Sequence, residues 1–365
     1  MRKNPSITTA LIALNVAVFA AMLLARISPV APATAQLVKW GANWGPLSLG
    51  PQAWRLLTSN YVHAGILHIG FNMWCLWNLG FLAERVFGPW TFLLIYTACG
   101  LAWSLSSLWW HPLTVGVGAS GAIFGVAGAL IAALHLGNLP IPKEALRGTL
   151  KSLLAFAGYN LFFGAVSKRI DNSAHIGGLL CGLALGALLA KHLMAEPEIR
   201  NRWRGTALVA TGAILFVVFG MVQRVNGYVV PLQQGMESLQ KNQFDAAERS
   251  LEEAVAKKPD NHDSLFLLAT VYYQKQEYAK AEATLQHLLR LDPEDADARM
   301  NLGLVQTRLG KYDDAIATLN TALQMNPKDA DAQQALGEAY AAKNMVNEAR
   351  AAFQKASELR GASKP

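Results

Sequence analysis

Residues 111–121 read HPLTVGVGASG, and they interrupt a stretch from 87 to 142 that carries no formal charge. A helix crossing a bilayer takes about 20 mostly apolar residues, so that stretch is too long for one span. Pro112, Gly116, Gly118 and Gly121 break it, because proline lacks an amide hydrogen and glycine costs a helix backbone entropy. Two spans result, 88–110 and 119–139, joined by a loop. Outward from this point, uncharged apolar runs recur at about 6–25, 64–83, 152–167, 172–190 and 205–223. The fifth run, 152–167, is short but can extend into its flanks. Seven spans are predicted. The first follows Arg2 and Lys3 as a signal peptide would, but a signal core is about 7–15 residues long, so 6–25 is read as a span.

The charges divide the chain. Before residue 225 there are five acids (Glu84, Glu144, Asp171, Glu196 and Glu198) against sixteen Lys and Arg; beyond it there are twenty acids and sixteen bases. The whole is 52% hydrophobic and 16% charged, too apolar for an ordinary soluble protein, so the two parts have different solvents. The cations behind the net charge of +7 flank apolar runs instead of forming a stripe with aromatics, which argues for membrane topology and against a nucleic-acid partner. With the N-terminus inside, the inner segments hold Arg2, Lys3, Arg85, Lys143, Arg147, Lys151, Lys191, Arg200, Arg202 and Arg204. The outer ones hold Arg26, Lys39, Arg55, Lys168, Arg169 and Arg224. The expectation is a multi-pass protein of a bacterial inner membrane, N-terminus cytoplasmic and C-terminal domain outside. Cys75, Cys99 and Cys181 all lie in apolar runs with neither zinc nor disulfide spacing, as buried small hydrophobes do.

Polar groups within spans are costly, and this makes them functional candidates. They gather in HAGILHIGFN (63–72), GASG (118–121) and NSAHIGGLLCG (172–182). Ser120 lies between two glycines where a loop enters a helix, the place of an ordinary N-cap and equally of a nucleophile whose oxyanion meets helix N–H donors. A serine nucleophile needs a base. His175 lies beside Ala174, and Ala174, Gly178 and Gly182 make a small-residue stripe that lets another helix approach closely; the helix starting at Ser120 is the expected neighbour. His68 and Asn72 are one turn apart on one face, suited to oxyanion stabilisation or to simple interhelical packing. His63 does not share that face and reads as a structural hydrogen-bonder. Asp171, one turn before His175, reads as an N-cap or ion-pair partner of Lys168 and Arg169, leaving a dyad and not a triad. HExxH is absent, the first 224 residues hold only one aspartate, and no half of the spans repeats the other. Zinc-protease, aspartyl-protease and transporter chemistry are therefore disfavoured.

These three motifs, with Trp54-Arg55 before them, resemble the rhomboid family in order and spacing over residues 6–191. The resemblance implies a six-helix core, 1–191, with Ser120 as nucleophile and His175 as general base. His68, Asn72 and the Ser120 N–H would form the oxyanion hole. Gly118 would hold the loop close, with Gly121 and Gly178 supporting the packing, while Trp54 and Arg55 shape a long first loop. Phe124 stands where relatives often carry Tyr against the histidine, keeping the ring and losing the hydroxyl. Transmembrane protein substrates, the lipid bilayer as medium, and no metal or cofactor are implied.

After an inner connection and seventh helix (192–227), a period of 34 is present: Pro259, Pro293 and Pro327, and likewise Ala247, Ala281, Ala315 and Ala349. This is the tetratricopeptide (TPR) pattern, with four repeats over 228–363. The expected fold class is all-α, a polytopic membrane helical bundle followed by an α-solenoid. A repeat groove is suited to a peptide or protein ligand, or serves as a spacer. The competing reading of the whole is a catalytically silent membrane scaffold that binds client proteins through its repeats.

Overall fold

The computed structural model describes residues 6–140, 142–166 and 171–362. The chain divides into two compact units, Met1–Gly227 and Tyr228–Pro365. No strand forms among the described residues; one isolated antiparallel bridge joins Asn43 to Gly116.

Among the described residues of the first unit, six helices are long and apolar enough to cross a membrane: α1 (Ile7–Leu24), α5 (Ile66–Phe87), α6 (Pro89–Trp110), α8 (Lys143–Val166), α9 (Asn172–Ala190) and α10 (Pro197–Asn226). A seventh apolar helix, α7 (Ser120–Leu136), is shorter at 17 residues. Nearly every residue of α7 from Gly121 to Leu134 is buried, so α7 is the centre of the bundle. Its neighbours turn apolar side chains outward: Trp74 and Phe71 on α5, Phe162 on α8 and Phe216 on α10 are mostly exposed. A protein apolar both inside and out is built for hydrocarbon. The segment between α1 and α5 carries three short helices, α2 (Thr34–Lys39), α3 (Gly45–Ser48) and α4 (Arg55–Thr58).

Two spans are longer than their apolar runs. α8 starts at Lys143, not 152, because Glu144, Arg147 and Lys151 are good helix formers and nothing breaks the helix after Pro142. α10 likewise starts at Pro197 instead of 205, with proline at its first position. Of the topology signals, Arg2, Lys3, Lys168 and Arg169 lie outside the described residues.

Polar anchors fix the bundle's ends. Glu84 of α5 accepts hydrogen bonds from Ser6 Oγ, Thr8 Oγ1 and the amides of Ile7 and Thr8, so one carboxylate satisfies the free N–H groups at the start of α1. At the other end Asn226 Nδ2 donates to the Leu108 and Trp109 carbonyls, capping α6 with the end of α10. Arg204 donates to the Phe87 carbonyl at the α5–α6 junction.

The second unit is four helix pairs: α11 (Val229–Gln240) with α12 (Phe244–Lys257), α13 (His262–Gln274) with α14 (Tyr278–Leu291), α15 (Ala296–Arg308) with α16 (Tyr312–Met325), and α17 (Ala330–Ala342) with α18 (Val346–Ala362). The 34-residue period is visible in the packing. Gly235, Gly303 and Gly337 lie against Leu251, Leu319 and Phe353, where a Cβ would come within 2.6, 2.4 and 2.5 Å. Asn261, Asp295 and Asp329 cap α13, α15 and α17, the first helices of three successive repeats, by accepting from backbone amides three residues on.

Candidate active site

Ser120 opens α7 and His175 lies in the first turn of α9, and their side chains meet: His175 Nε2 is 3.0 Å from Ser120 Oγ. Close packing of the two helices brings this about. A Cβ on Gly178 would lie 2.1 Å from the Gly121 carbonyl oxygen, one on Gly182 1.8 Å from that of Gly125, and one on Gly186 2.4 Å from that of Ala129. Three contacts at four-residue spacing run down one seam, and only glycine permits them. Gly121 is confined on its other side by Trp103, whose ring atoms would be 1.9 Å from an added Cβ.

The histidine ring is oriented by stacking. Phe124 lies parallel to it, with centroids 4.3 Å apart and planes 3° apart. His175 Nδ1 is buried and has no hydrogen-bond partner. The Asp171 carboxylate is occupied elsewhere: it accepts from Ser107 Oγ at 2.7 Å, from Ser173 Oγ, and from the Ala174 amide at 3.2 Å as the N-cap of α9. Among the described residues, then, the serine–histidine pair has no third member.

The loop before Ser120 is held at depth by backbone pairing. Gly116 and Asn43 exchange amide–carbonyl bonds of 2.8 and 2.9 Å, and the Gly118 amide donates to the Ser59 carbonyl at 2.8 Å. Irregular backbone within hydrocarbon must be satisfied by protein in this way. Gly118 has φ +110°, and a Cβ there would meet His68 Cε1 at 2.6 Å and Asn72 Nδ2 at 3.4 Å. The loop thus passes directly over the His68–Asn72 face of α5. Asn72 is buried and its Nδ2 has no partner among the described residues, which leaves a free donor beside the Gly118 turn, two residues before Ser120.

His63 is not on that face. It is buried in the loop before α5, with Nδ1 3.3 Å from the Tyr61 carbonyl and its ring edge-on to His68 at 5.2 Å. Burial, aided by His68, pushes its pKa down to about 3. An unfolded histidine titrates near 6.5, so below that pH the unfolded chain binds a proton that folded His63 refuses. Stability therefore declines as pH falls from about 6.5 toward 3. Thermal unfolding in detergent should show a lower midpoint at about pH 5 than at about pH 7.5, and His63→Gln should flatten that slope; an unchanged slope would remove His63 from this account.

Arg55 is buried while Trp54 is half exposed. The Arg55 guanidinium donates to the Val38 and Ala42 carbonyls and to Gln52 Oε1, and stacks over Trp54 at 4.8 Å. This pair ties the first loop together, and that loop supplies Asn43 and Ser59 to the serine loop. Asn43, Ser59, Trp103 and Ser107 are positioning residues that sequence reading missed. Their roles are bonds and contacts to remote segments, for which Asn43 and Ser59 gave only the weak signal of polar residues in an apolar surrounding.

Residues 50–192 match the family described as Rhomboid domain, and 232–296, 267–337 and 330–362 match three families described as Tetratricopeptide repeat. The chain is 34% identical over 266 residues to Rhomboid protease GluP of Bacillus subtilis (strain 168), covering 73% of this chain and 50% of the relative. It is 38% identical over 172 residues to RHOMBOID-like protein 6, mitochondrial, of Arabidopsis thaliana, covering 47% and 55%. To Rhomboid protease AarA of Providencia stuartii it is 31% identical over 210 residues, covering 51% and 74%. It spans about half the length of the first two. Fold and similarity together define a multi-pass membrane protein with a repeat domain. The chain belongs to the rhomboid family, a family that includes intramembrane proteases.

Proposed function

We propose that this chain is an intramembrane serine endopeptidase that cleaves transmembrane protein substrates with a Ser120–His175 dyad. The observation that carries the reading is the 3.0 Å contact between His175 Nε2 and Ser120 Oγ within a membrane bundle. As Oγ attacks the scissile carbonyl carbon, His175 Nε2 takes its proton and then delivers it to the departing amine. The negative charge that develops on the carbonyl oxygen is met by the unpartnered Asn72 Nδ2, by His68 and by the Ser120 amide at the start of α7. Water then hydrolyses the acyl-enzyme, with His175 again as base. Phe124 keeps the ring stacked through both steps, and Gly118 keeps the serine loop against α5.

The repeat unit is the recruiting element of this proposal, holding a soluble segment of a substrate or adaptor. With the N-terminus in the cytoplasm and seven spans, the repeats lie outside the cell membrane; cysteines placed in the repeats and reacting only with membrane-impermeant thiol reagents on the outer face are the check.

A fluorophosphonate probe tests the chemistry without a known substrate, since it phosphonylates an activated serine. Wild-type protein in detergent should be labelled at Ser120 in peptide mapping, and His175→Ala should lose the label while remaining folded. Absence of label in wild type, or equal label in His175→Ala, would refute the dyad and favour a silent scaffold.

A further inference from the structure

The cations on the first turns of α10 have no carboxylate partner among the described residues. Arg200, Arg202 and Arg204 lie there, with Arg85 and Lys191 at the adjoining ends of α5 and α9. Every ion pair among the described residues is in the repeat unit. Glu84 is taken up by Ser6, Ile7 and Thr8, and the exposed Glu196 and Glu198 pair with none of the five. Arg200 Nε is buried without a partner. Guanidinium groups left unneutralised at a membrane surface attract anions.

The same face of α10 borders an opening. Arg200, Arg204, Ala207, Thr211, Ile214 and Val218 recur at three- and four-residue steps, one stripe of a helix. Ala207 packs into the core and Asn226 pins the far end. Between these contacts α10 stands away from α6 and α9, leaving a crevice of about 400 Å³. Its lining is nearly all apolar, with Leu105, Leu180, Ala184 and Ile214 predominating over Ser106 and Thr211. Ser106 Oγ is already bonded to the Ser173 carbonyl, so one of the two wall hydroxyls has its partner within the protein. An apolar space at this depth is filled by hydrocarbon, the surrounding solvent. Thr211 lies seven residues from Arg204, about 10 Å along the axis, so the near edge of the crevice begins that far below the cations, within reach of an acyl chain, and its far edge extends to Trp109 and Trp110 at the opposite end of α6.

We propose that α6, α9 and α10 bind one anionic phospholipid, its phosphate held by Arg200 and Arg204 and one acyl chain in the crevice. This site lies on the face of α9 turned away from Ser120, and it would tether the seventh helix through lipid where protein contact is thin.

Native mass spectrometry of the full chain, with phosphatidylglycerol and phosphatidylcholine added in equal amounts, tests it. Wild type should retain one phosphatidylglycerol with a preference of about ten- to thirtyfold, the scale expected of two cations at a headgroup. Arg200→Gln with Arg204→Gln should reduce that preference to about twofold or less. Arg204 also bonds the Phe87 carbonyl, so Arg200→Gln is measured alone too: its guanidinium bonds no described residue, and its loss should still lower the preference severalfold. Ala184→Phe, which fills the crevice, should weaken retention of both lipids, and millimolar inorganic phosphate should displace neither. Equal retention of the two lipids by wild type overturns the proposal, as does an unchanged preference in Arg200→Gln or unaltered binding in Ala184→Phe. A dimer lost in Ala184→Phe would instead assign the crevice to a second copy.

Discussion

Ser120→Ala and His175→Ala should each lower cleavage of a single-span test substrate by at least about a thousandfold in proteoliposomes. The size follows from what each change removes. Without Oγ no acyl-enzyme forms, and without Nε2 the serine hydroxyl keeps its proton; a positioned base alone is worth about 10²–10⁴-fold. The two act as one unit, so the double variant should be no slower than either single one. Residual rate would come from the Asn72 amide and the α7 amides, which remain in place. Asp171→Asn supplies the contrast. Its carboxylate serves Ser107, Ser173 and the α9 N-terminus instead of His175 Nδ1, so it should lower thermal stability while changing the rate of folded protein by less than about tenfold. Equal rates for wild type and both dyad variants would sink the mechanism, and a thousandfold loss in Asp171→Asn at intact fold would install a triad.

What the sequence made legible, it did through chemistry that hydrocarbon forbids elsewhere. The stretch 111–119 could not be helix, and polar residues in apolar runs singled out Ser120, His175, His68 and Asn72, the first two of which the fold brings into contact. The Ala174–Gly178–Gly182 stripe likewise announced a close helix neighbour. Its continuation to Gly186, and the matching Gly121–Gly125–Ala129 face on α7, needed the structure, because a stripe states that something approaches without stating which residue. Helices α8 and α10 begin before their apolar runs for a related reason: hydropathy marks where lipid ends, while helix propensity carries the α8 backbone on through Glu144, Arg147 and Lys151, into the flank the short run was expected to use. Least legible were the anchors made to backbone carbonyls. Asn226 and Arg204 each hold α10 by such bonds, and a carbonyl has no sequence signature. The repeats are the opposite case, since a 34-residue period writes the same kind of packing contact in one repeat after another.

The glycine seam carries the second large effect, and it separates geometry from chemistry. Gly182→Ala adds one methyl group, seven residues from His175 and remote from any reacting atom. That methyl would be 1.8 Å from the Gly125 carbonyl oxygen, with Gly125 Cα and carbonyl carbon also inside 3.0 Å. These are backbone atoms of a buried helix that cannot rotate aside, so α9 must move away from α7. Overpacking of this kind costs typically 1–3 kcal/mol, and here it is focused on the contact that sets the Ser120–His175 distance. A displacement of about 1 Å in a reacting pair costs on the order of 100-fold in rate. Gly182→Ala should therefore fold with a lowered thermal midpoint and cleave at about a hundredth of the wild-type rate or less. Gly212→Ala on α10, where an added Cβ meets nothing within 4 Å, should match wild type in both measurements. If Gly182→Ala instead cleaved normally, the dyad would not depend on how closely α9 lies on α7. The alternative would be that Phe124, stacked 4.3 Å from the imidazole, holds His175 in place without the seam. Gly182→Ala combined with Phe124→Ala would decide between them, because ring stacking can compensate for a shifted helix only while the ring is there.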